Sequence, residues 1–156
     1  MKSEVSLIEL NYLKTLLTKI LIEATHLDGK KIYAKINSYD NHSTIYIDTR
    51  EQSNELYVKL IKLKDRKEII ISRIMLKQTK EGVGTKILKI ISIFGEKYDY
   101  QTLTIDSPNT DCKKFMKKMG FEPDKSWSLR TNQLMKNIQK YEEQKKYTNN
   151  LNRLLS

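Results

Sequence analysis

Two glycines, Gly82 and Gly84, stand in "TKEGVG" between a β-branched run opening at Glu68 and a stretch whose apolar residues recur at helical spacing. With only five glycines in the chain, the pair marks a backbone requirement. A turn of this kind leaves several amides without intrahelical acceptors at the start of a helix, and glycine lets a ligand come close where a Cβ would collide. Free amides and the helix dipole together favour an anion, phosphate above all. The same spacing also serves an ordinary tight turn, and it is neither a Walker A loop nor a full G-x-G-x-x-G. Farther on, Asn109, Cys112, Phe115 and Met116 lead to "GFEP" at Gly120, and Lys113, Lys114, Lys117 and Lys118 recur on one side of that segment. Those lysines can meet a phosphate, an acidic protein or nucleic acid, or can simply solubilise a helix face. Cys112 reads as a small core residue rather than a nucleophile.

Periodicity supplies the elements around these residues. Ser6 followed by Glu9 is a capping-box pattern, and Leu10, Leu13, Leu17, Ile20, Leu21 and Ala24 predict an amphipathic helix that stops at Gly29. The runs "KIYAKINSY", "STIYID" and "ELYVKLIKLK", joined by the turn-rich "DNHS" and "REQSN", predict an antiparallel meander. "EIIISRIML", residues 68 to 76, is apolar on both faces as a covered central strand would be. Ile87, Leu88, Ile91, Phe94 and Tyr98 share one helical stripe, and "LTID" is a short strand, so residues 68 to 106 predict a right-handed βαβ unit with the glycines at its turn. Tyr98 and Tyr100 read as packing residues. "SWSLR" offers one more strand, after which residues 131 to 156 take helical character. In that tail Leu134, Ile138 and Tyr141 begin a stripe that Lys145, Thr148 and Asn152 continue poorly, which argues against a long coiled coil. The expected organisation is a domain over residues 1–130 and a helical extension over 131–156, packed on that domain or on a second subunit of a homodimer.

Bulk properties narrow the function classes. A chain of 156 residues fits one core without staples. One cysteine and two scattered histidines give neither an internal disulfide nor metal-ligand spacing, and they suit a reducing cytoplasm. The apolar "LLTKILIEA" lies in a stretch interrupted by Glu9, Lys14, Lys19 and Glu23, too often for a signal peptide or a membrane span, so no membrane association is expected. A net charge of +10 favours phosphates, nucleic acid or acidic proteins as partners, although a lysine-rich compositional bias gives the same number.

Taken together, the strand, the glycine loop, the helix, the short strand and the segment "NTDCKKFMKKMGF" resemble the GNAT superfamily of acetyl-CoA-dependent N-acyltransferases. The family signature is a central strand, a Q/R-x-x-G-x-G/A loop, a helix, a strand, and a helix of the form N-x-x-A-x-x-F-Y-x-x-x-G-F. The likeness covers residues 68 to about 123, and the flanks match by element order only. It implies an α/β (α+β, three-layer) fold, a mixed central sheet flanked by helices, here with an additional C-terminal helix. It also implies that acetyl-CoA is the co-substrate. Amides of the loop Thr79, Lys80, Glu81, Gly82, Val83, Gly84 and Thr85 would hold the pyrophosphate, and the pantetheine arm would pair with Ile74, Met75 and Leu76. Asn109 and Phe115 belong to the same site by this likeness. Thr79 stands where the family has Gln or Arg, with Gln78 one place early. Lys80 and Lys86 add charge near phosphate or are solvated surface lysines.

By the same resemblance, the reaction is transfer of an acetyl group to a primary amine, for instance a protein lysine, by direct attack in a ternary complex. An amine of intrinsic pKa about 10.4 must lose a proton before attack, so a base is required. Glu68, at the opening of the central strand, is similar in position to the base of the histone acetyltransferase branch, and it equally suits an exposed strand-end glutamate in "KDRKE". Asp48 and Glu55 are weaker candidates. The backbone amide of Met75 is where family geometry puts an oxyanion donor. Met116 occupies the position of the tyrosine that many members use as acid, and a thioether has no proton to give. The alternative is a catalytically inactive module of the same fold that binds nucleic acid or an acidic protein through its basic surface. Acetyl-CoA stabilisation without a salt-dependent nucleic-acid interaction separates the first reading from the second.

Overall fold

The structure, a computed structural model, describes residues 3–25, 31–50, 53–77 and 82–156. In chain order these form α1 (Leu7–Thr25), β1 (Ile32–Ser38), β2 (Ser43–Thr49), β3 (Asn54–Lys62), β4 (Lys67–Met75), α2 (Val83–Lys97), β5 (Thr102–Ile105), α3 (Thr110–Lys118), β6 (Ser128–Arg130) and α4 (Thr131–Leu155). The capping box is formed: the Ser6 amide donates to Glu9 Oε2 at 2.8 Å and the Glu9 amide to Ser6 Oγ at 3.1 Å. Gly29, the expected stop of α1, lies outside the described residues.

The six strands form one sheet in sequential order, antiparallel throughout except for the parallel pair β4–β5 that α2 connects. This is a mixed α/β architecture, and the expected meander and βαβ unit are its two halves. Register decides which side is inside. Ile45 stands opposite Val58, Val58 opposite Ile71 and Ile71 opposite Ile105, so one apolar row crosses four strands on a single face. Those residues share one core with Leu13 and Leu17 of α1, Leu88 and Phe94 of α2, Met116 of α3 and Leu134 of α4. Each fully buried side chain of this kind contributes about 1.5–3 kcal/mol, set against the entropy of ordering it.

The opposite face carries Tyr33, Lys35, Tyr46, Asp48, Glu55, Tyr57, Lys59 and Arg73, all half-exposed or exposed. Among the described residues the layers therefore number two, not the three expected. The apolar run of β4 misled because Ile70 lies on the open face, where it is only half-buried, while Ile69 and Ile71 supply the core. Tyr98 and Tyr100 do pack: Tyr100 is 2% exposed, with its hydroxyl donating to Glu9 Oε1 at 3.3 Å, and Tyr98 lies against Phe94 and Tyr12. The tail enters the core through Thr131, Leu134 and Ile138, and every residue from Glu143 onward is exposed.

Candidate functional site

The ladder between β4 and β5 covers only Glu68–Ile71 against Thr102–Ile105, closed by the Asp106 amide donating to Ile71 O at 2.9 Å. The chain then turns away through Ser107 and Pro108 into α3, capped by Asn109, whose Oδ1 accepts the Cys112 amide at 2.8 Å. Among the described residues, strand β4 runs on to Met75 with β3 alone beside it. Where the two strands part, β4 carries a bulge: Val58 pairs with Ile71 and Tyr57 with Arg73, which leaves Ser72 as the extra residue.

One extra residue reverses the direction in which successive amides point. Before the bulge Ile71 faces β5, and after it the Lys77 amide faces β3, where Asn54 Oδ1 accepts it. Alternation therefore turns Arg73 and Met75 toward β3 and leaves the amides and carbonyls of Ile74 and Leu76 on the side that β5 has vacated. The expected oxyanion donor at Met75 is corrected accordingly, because that amide belongs to the β3 ladder.

Helix α2 begins beside this free edge. Gly82 is its N-cap at φ 84°, a left-handed conformation that glycine adopts without a Cβ penalty, and among the described residues no side chain caps the helix. The first i to i−4 bond is Lys86 N–H to Gly82 O at 3.1 Å, so the amides of Val83, Gly84 and Thr85 have no acceptor within the helix. Gly84 is also confined by packing. A Cβ there would stand 3.3 Å from the Phe115 ring, so its smallness lets α3 close onto α2, whereas at Gly82 nothing lies within 4 Å.

The free strand edge and the uncapped helix open into one cleft of about 450 Å³, whose walls include Ile74, Leu76, Thr85, Phe115, Tyr141 and Lys145. A smaller cavity of about 190 Å³ adjoins it, sharing Ile74, Met75, Asn109 and Cys112 and adding Ser72, Arg73, Asp106 and Ser107. The two form a path along the β4 edge from the α2 N-terminus to the splay between β4 and β5. Its chemistry suits an extended chain bearing amides, which can hydrogen-bond the strand edge, and a diphosphate at one end, which the α2 amides and dipole favour. Burial pushes the Cys112 thiol up, and its Sγ lies 3.6 Å from Met116 Sδ, so it is a neutral wall residue and not a thiolate.

Of the expected cofactor residues, Ile74, Met75, Leu76, Gly82, Gly84, Thr85, Asn109 and Phe115 line the larger cleft together. Val83 is 4% exposed and turned into the core. Thr79, Lys80 and Glu81 lie outside the described residues. Met116 is fully buried in the core.

The structure does not bring Glu68 into the cleft. Six residues of strand at about 3.3 Å each separate it from Ile74 by about 20 Å. Its carboxylate is held by Arg66, with Nε at 3.0 Å and a terminal nitrogen at 2.8 Å, and by the Thr104 hydroxyl at 2.8 Å. Glu55 is likewise engaged, accepting from Tyr46 at 3.0 Å and Arg73 at 3.1 Å, and Asp48 lies 3.7 Å from Arg50 Nε. Among the described residues, the carboxylates lining the two cavities are instead Asp111 and Asp106. Sequence reasoning passed over these, together with Tyr141 and Lys145. For the last pair a signal existed: Lys145 breaks an apolar stripe one helical turn after Tyr141.

No protein-family model, curated protein or solved structure matches this chain. Among the described residues no helix is long and apolar enough to cross a membrane.

Proposed function

We propose that the protein is an acetyl-CoA-dependent N-acetyltransferase of the GNAT type, acting on a primary amine. The observation that carries the reading is that β4 loses its β5 partner after Ile71 and then runs, with one edge free, to an uncapped helix N-terminus in the same cleft. A cleft of about 450 Å³ is of the size that holds a cofactor-sized ligand.

In this reading Val83, Gly84 and Thr85 amides hold the diphosphate, Ile74 and Leu76 pair with the amides of the pantetheine arm, and the smaller cavity receives the reactive end. Bound acetyl-CoA supplies an acyl group activated as a thioester. The acceptor nitrogen forms a bond to the carbonyl carbon, the carbon–sulfur bond breaks, and the nitrogen gives up a proton. Asp106, exposed at the mouth of the smaller cavity, is the carboxylate to which we assign that proton. An alkyl thiol has a pKa of about 8.5, so the departing sulfur can take its proton from water without a protein acid. Glu68 serves in this account as a strand-pairing residue that ties β4 to Arg66 and Thr104.

The test is thermal unfolding with and without acetyl-CoA. A ligand present at 100 times its Kd adds about 2.7 kcal/mol of stability, a shift of several degrees. Acetyl transfer to a panel of peptides, polyamines and aminoglycosides then identifies the acceptor. The exposed lysines 113, 114, 117 and 118 favour the second reading, an inactive module for nucleic acid or acidic proteins. That reading predicts steeply salt-dependent binding and no response to acetyl-CoA.

A further inference from the structure

The open face of the sheet has a pattern of its own. Lys35 stands opposite Tyr46, Tyr46 opposite Tyr57 and Tyr57 opposite Arg73, so one row across β1 to β4 sets two tyrosines between two cations. Tyr33, diagonal to Tyr46, extends the aromatic group, with ring centroids 6.4 Å apart, and those of Tyr46 and Tyr57 are 6.0 Å apart. The rings are inclined at 62° and 60°, so none lies flat on its neighbour. Tyr46 donates to Glu55 Oε1 at 3.0 Å, and the Arg50 guanidinium sits 5.1 Å from the centre of the Tyr33 ring. All three tyrosines keep solvent access, and among the described residues no helix covers this face.

Charge decides what such a platform takes. The carboxylates beside the row, Asp48 and Glu55, are recessed, with side chains 17% and 22% exposed, whereas their partners Arg50 and Arg73 are 75% and 58% exposed. Lys35 and Lys59 add two more cations on the same face, and Glu68, farther along it, is held by Arg66 and Thr104. A polyanion therefore meets positive charge first. Rings flanked by cations on an open sheet match both parts of a single-stranded polynucleotide, since unpaired bases stack on aromatic side chains and phosphates pair with basic ones. A second copy of the chain fits worse, because face-to-face contact would press the projecting arginines against their own kind. We propose that the β1–β4 face binds single-stranded nucleic acid, with bases on Tyr33, Tyr46 and Tyr57 and phosphates on Lys35, Lys59 and Arg73. This surface lies across the sheet from α3, and it uses neither the acetyl-CoA cleft nor the α3 lysines.

Fluorescence anisotropy on the full chain tests it, with labelled oligouridylate and oligodeoxyuridylate of about ten nucleotides and a duplex of the same length. Single strands of one sugar or both should bind at least about tenfold more tightly than the duplex, and a difference between them reports the 2′-hydroxyl. Tyr57→Leu should weaken single-strand binding by about tenfold while Tyr57→Phe binds normally, as stacking on the ring requires. Lys35→Met should make the slope of log affinity against log salt shallower by about 0.7. No single-strand binding, equal affinity for the duplex, or unchanged binding by folded Tyr57→Leu overturns the assignment. So does a loss seen only in Lys114→Gln and Lys117→Gln, which moves the ligand to α3, or a dimer in sedimentation equilibrium that Tyr57→Leu dissociates, which makes the face an interface between copies. Melting curves of each variant without ligand show whether a loss reflects folding, and Lys35→Met, at an exposed position, should melt like the parent. None of these readouts involves acetyl-CoA, so the acetyl-CoA reading stands or falls separately.

Discussion

The two halves of β4 have opposite fates. From Glu68 to Ile71 the strand is paired on both sides, Ile69 and Ile71 are fully buried, and Glu68 is locked by Arg66 and Thr104. From Ser72 to Met75 it keeps β3 alone, and Ile74 and Met75 are only half-buried. The difference comes from the neighbour and from the bulge that β4 carries. Strand β5 has four residues, and the turn at Ser107 and Pro108 carries the chain off before it can cover the rest. A free strand edge, among the described residues, is thus produced by ending one strand early, and the bulge at Ser72 turns Ile74 and Leu76 to face the gap.

Substitutions that treat the halves unequally test this division. The largest effect belongs to Ile69→Ala, which should cost about 2–5 kcal/mol in denaturant unfolding, whereas Ile74→Ala should cost much less and act mainly on coenzyme affinity. Next, Cys112→Trp should fill the junction of the two cavities and weaken acetyl-CoA binding by at least about tenfold (about 1.4 kcal/mol) while the protein stays folded. For turnover, Asp106→Asn should lower kcat by about tenfold, with KM little changed, and Glu68→Gln should stay within about twofold. The same Glu68→Gln should instead lower stability by about 0.5–1.5 kcal/mol, the worth of its lost bonds. A turnover loss confined to Glu68→Gln would restore the strand-opening base and remove Asp106.

Gly82→Ala should cost about 1–2 kcal/mol of stability, because its φ of 84° is costly for a residue with a Cβ although nothing lies near. The smallest effect lies far from the cleft. Burial raises the Glu9 carboxyl, but Lys62 at 2.8 Å and the bonds from Ser6 outweigh it and hold the group below its ordinary range. Its folded value is lowered, so its contribution is complete above the unfolded value of about 4.3 and fades as pH falls through the folded value. Acid unfolding curves of Glu9→Gln should therefore converge on the parent below that range and lie beneath it at neutral pH.

Much of this was legible in the sequence because it is local. The Ser6–Glu9 box, the alternation in β2 and β3, and the helical stripe from Ile87 to Phe94 each depend on residues a few positions apart. The site was legible in its residues but not in its form. The glycine pair pointed to the uncapped helix, yet nothing near Gly84 in the chain announces Phe115, which reaches it from α3. The open sheet face was missed because Ile70 mimics a buried residue, and covering that face is a tertiary fact with no period of its own. Tyr141 and Lys145 were missed because a broken stripe reads as the end of a helix contact and not as a second use of the helix.

The most direct measurement is the amide NMR spectrum of the ¹⁵N-labelled protein during titration with acetyl-CoA. Shifts concentrated at Ile74, Leu76 and Val83 to Thr85, with Glu68 to Ile71 unmoved, are what a ligand lying along the vacated edge requires. Shifts confined to the lysine face of α3, or none at saturating coenzyme, would contradict it.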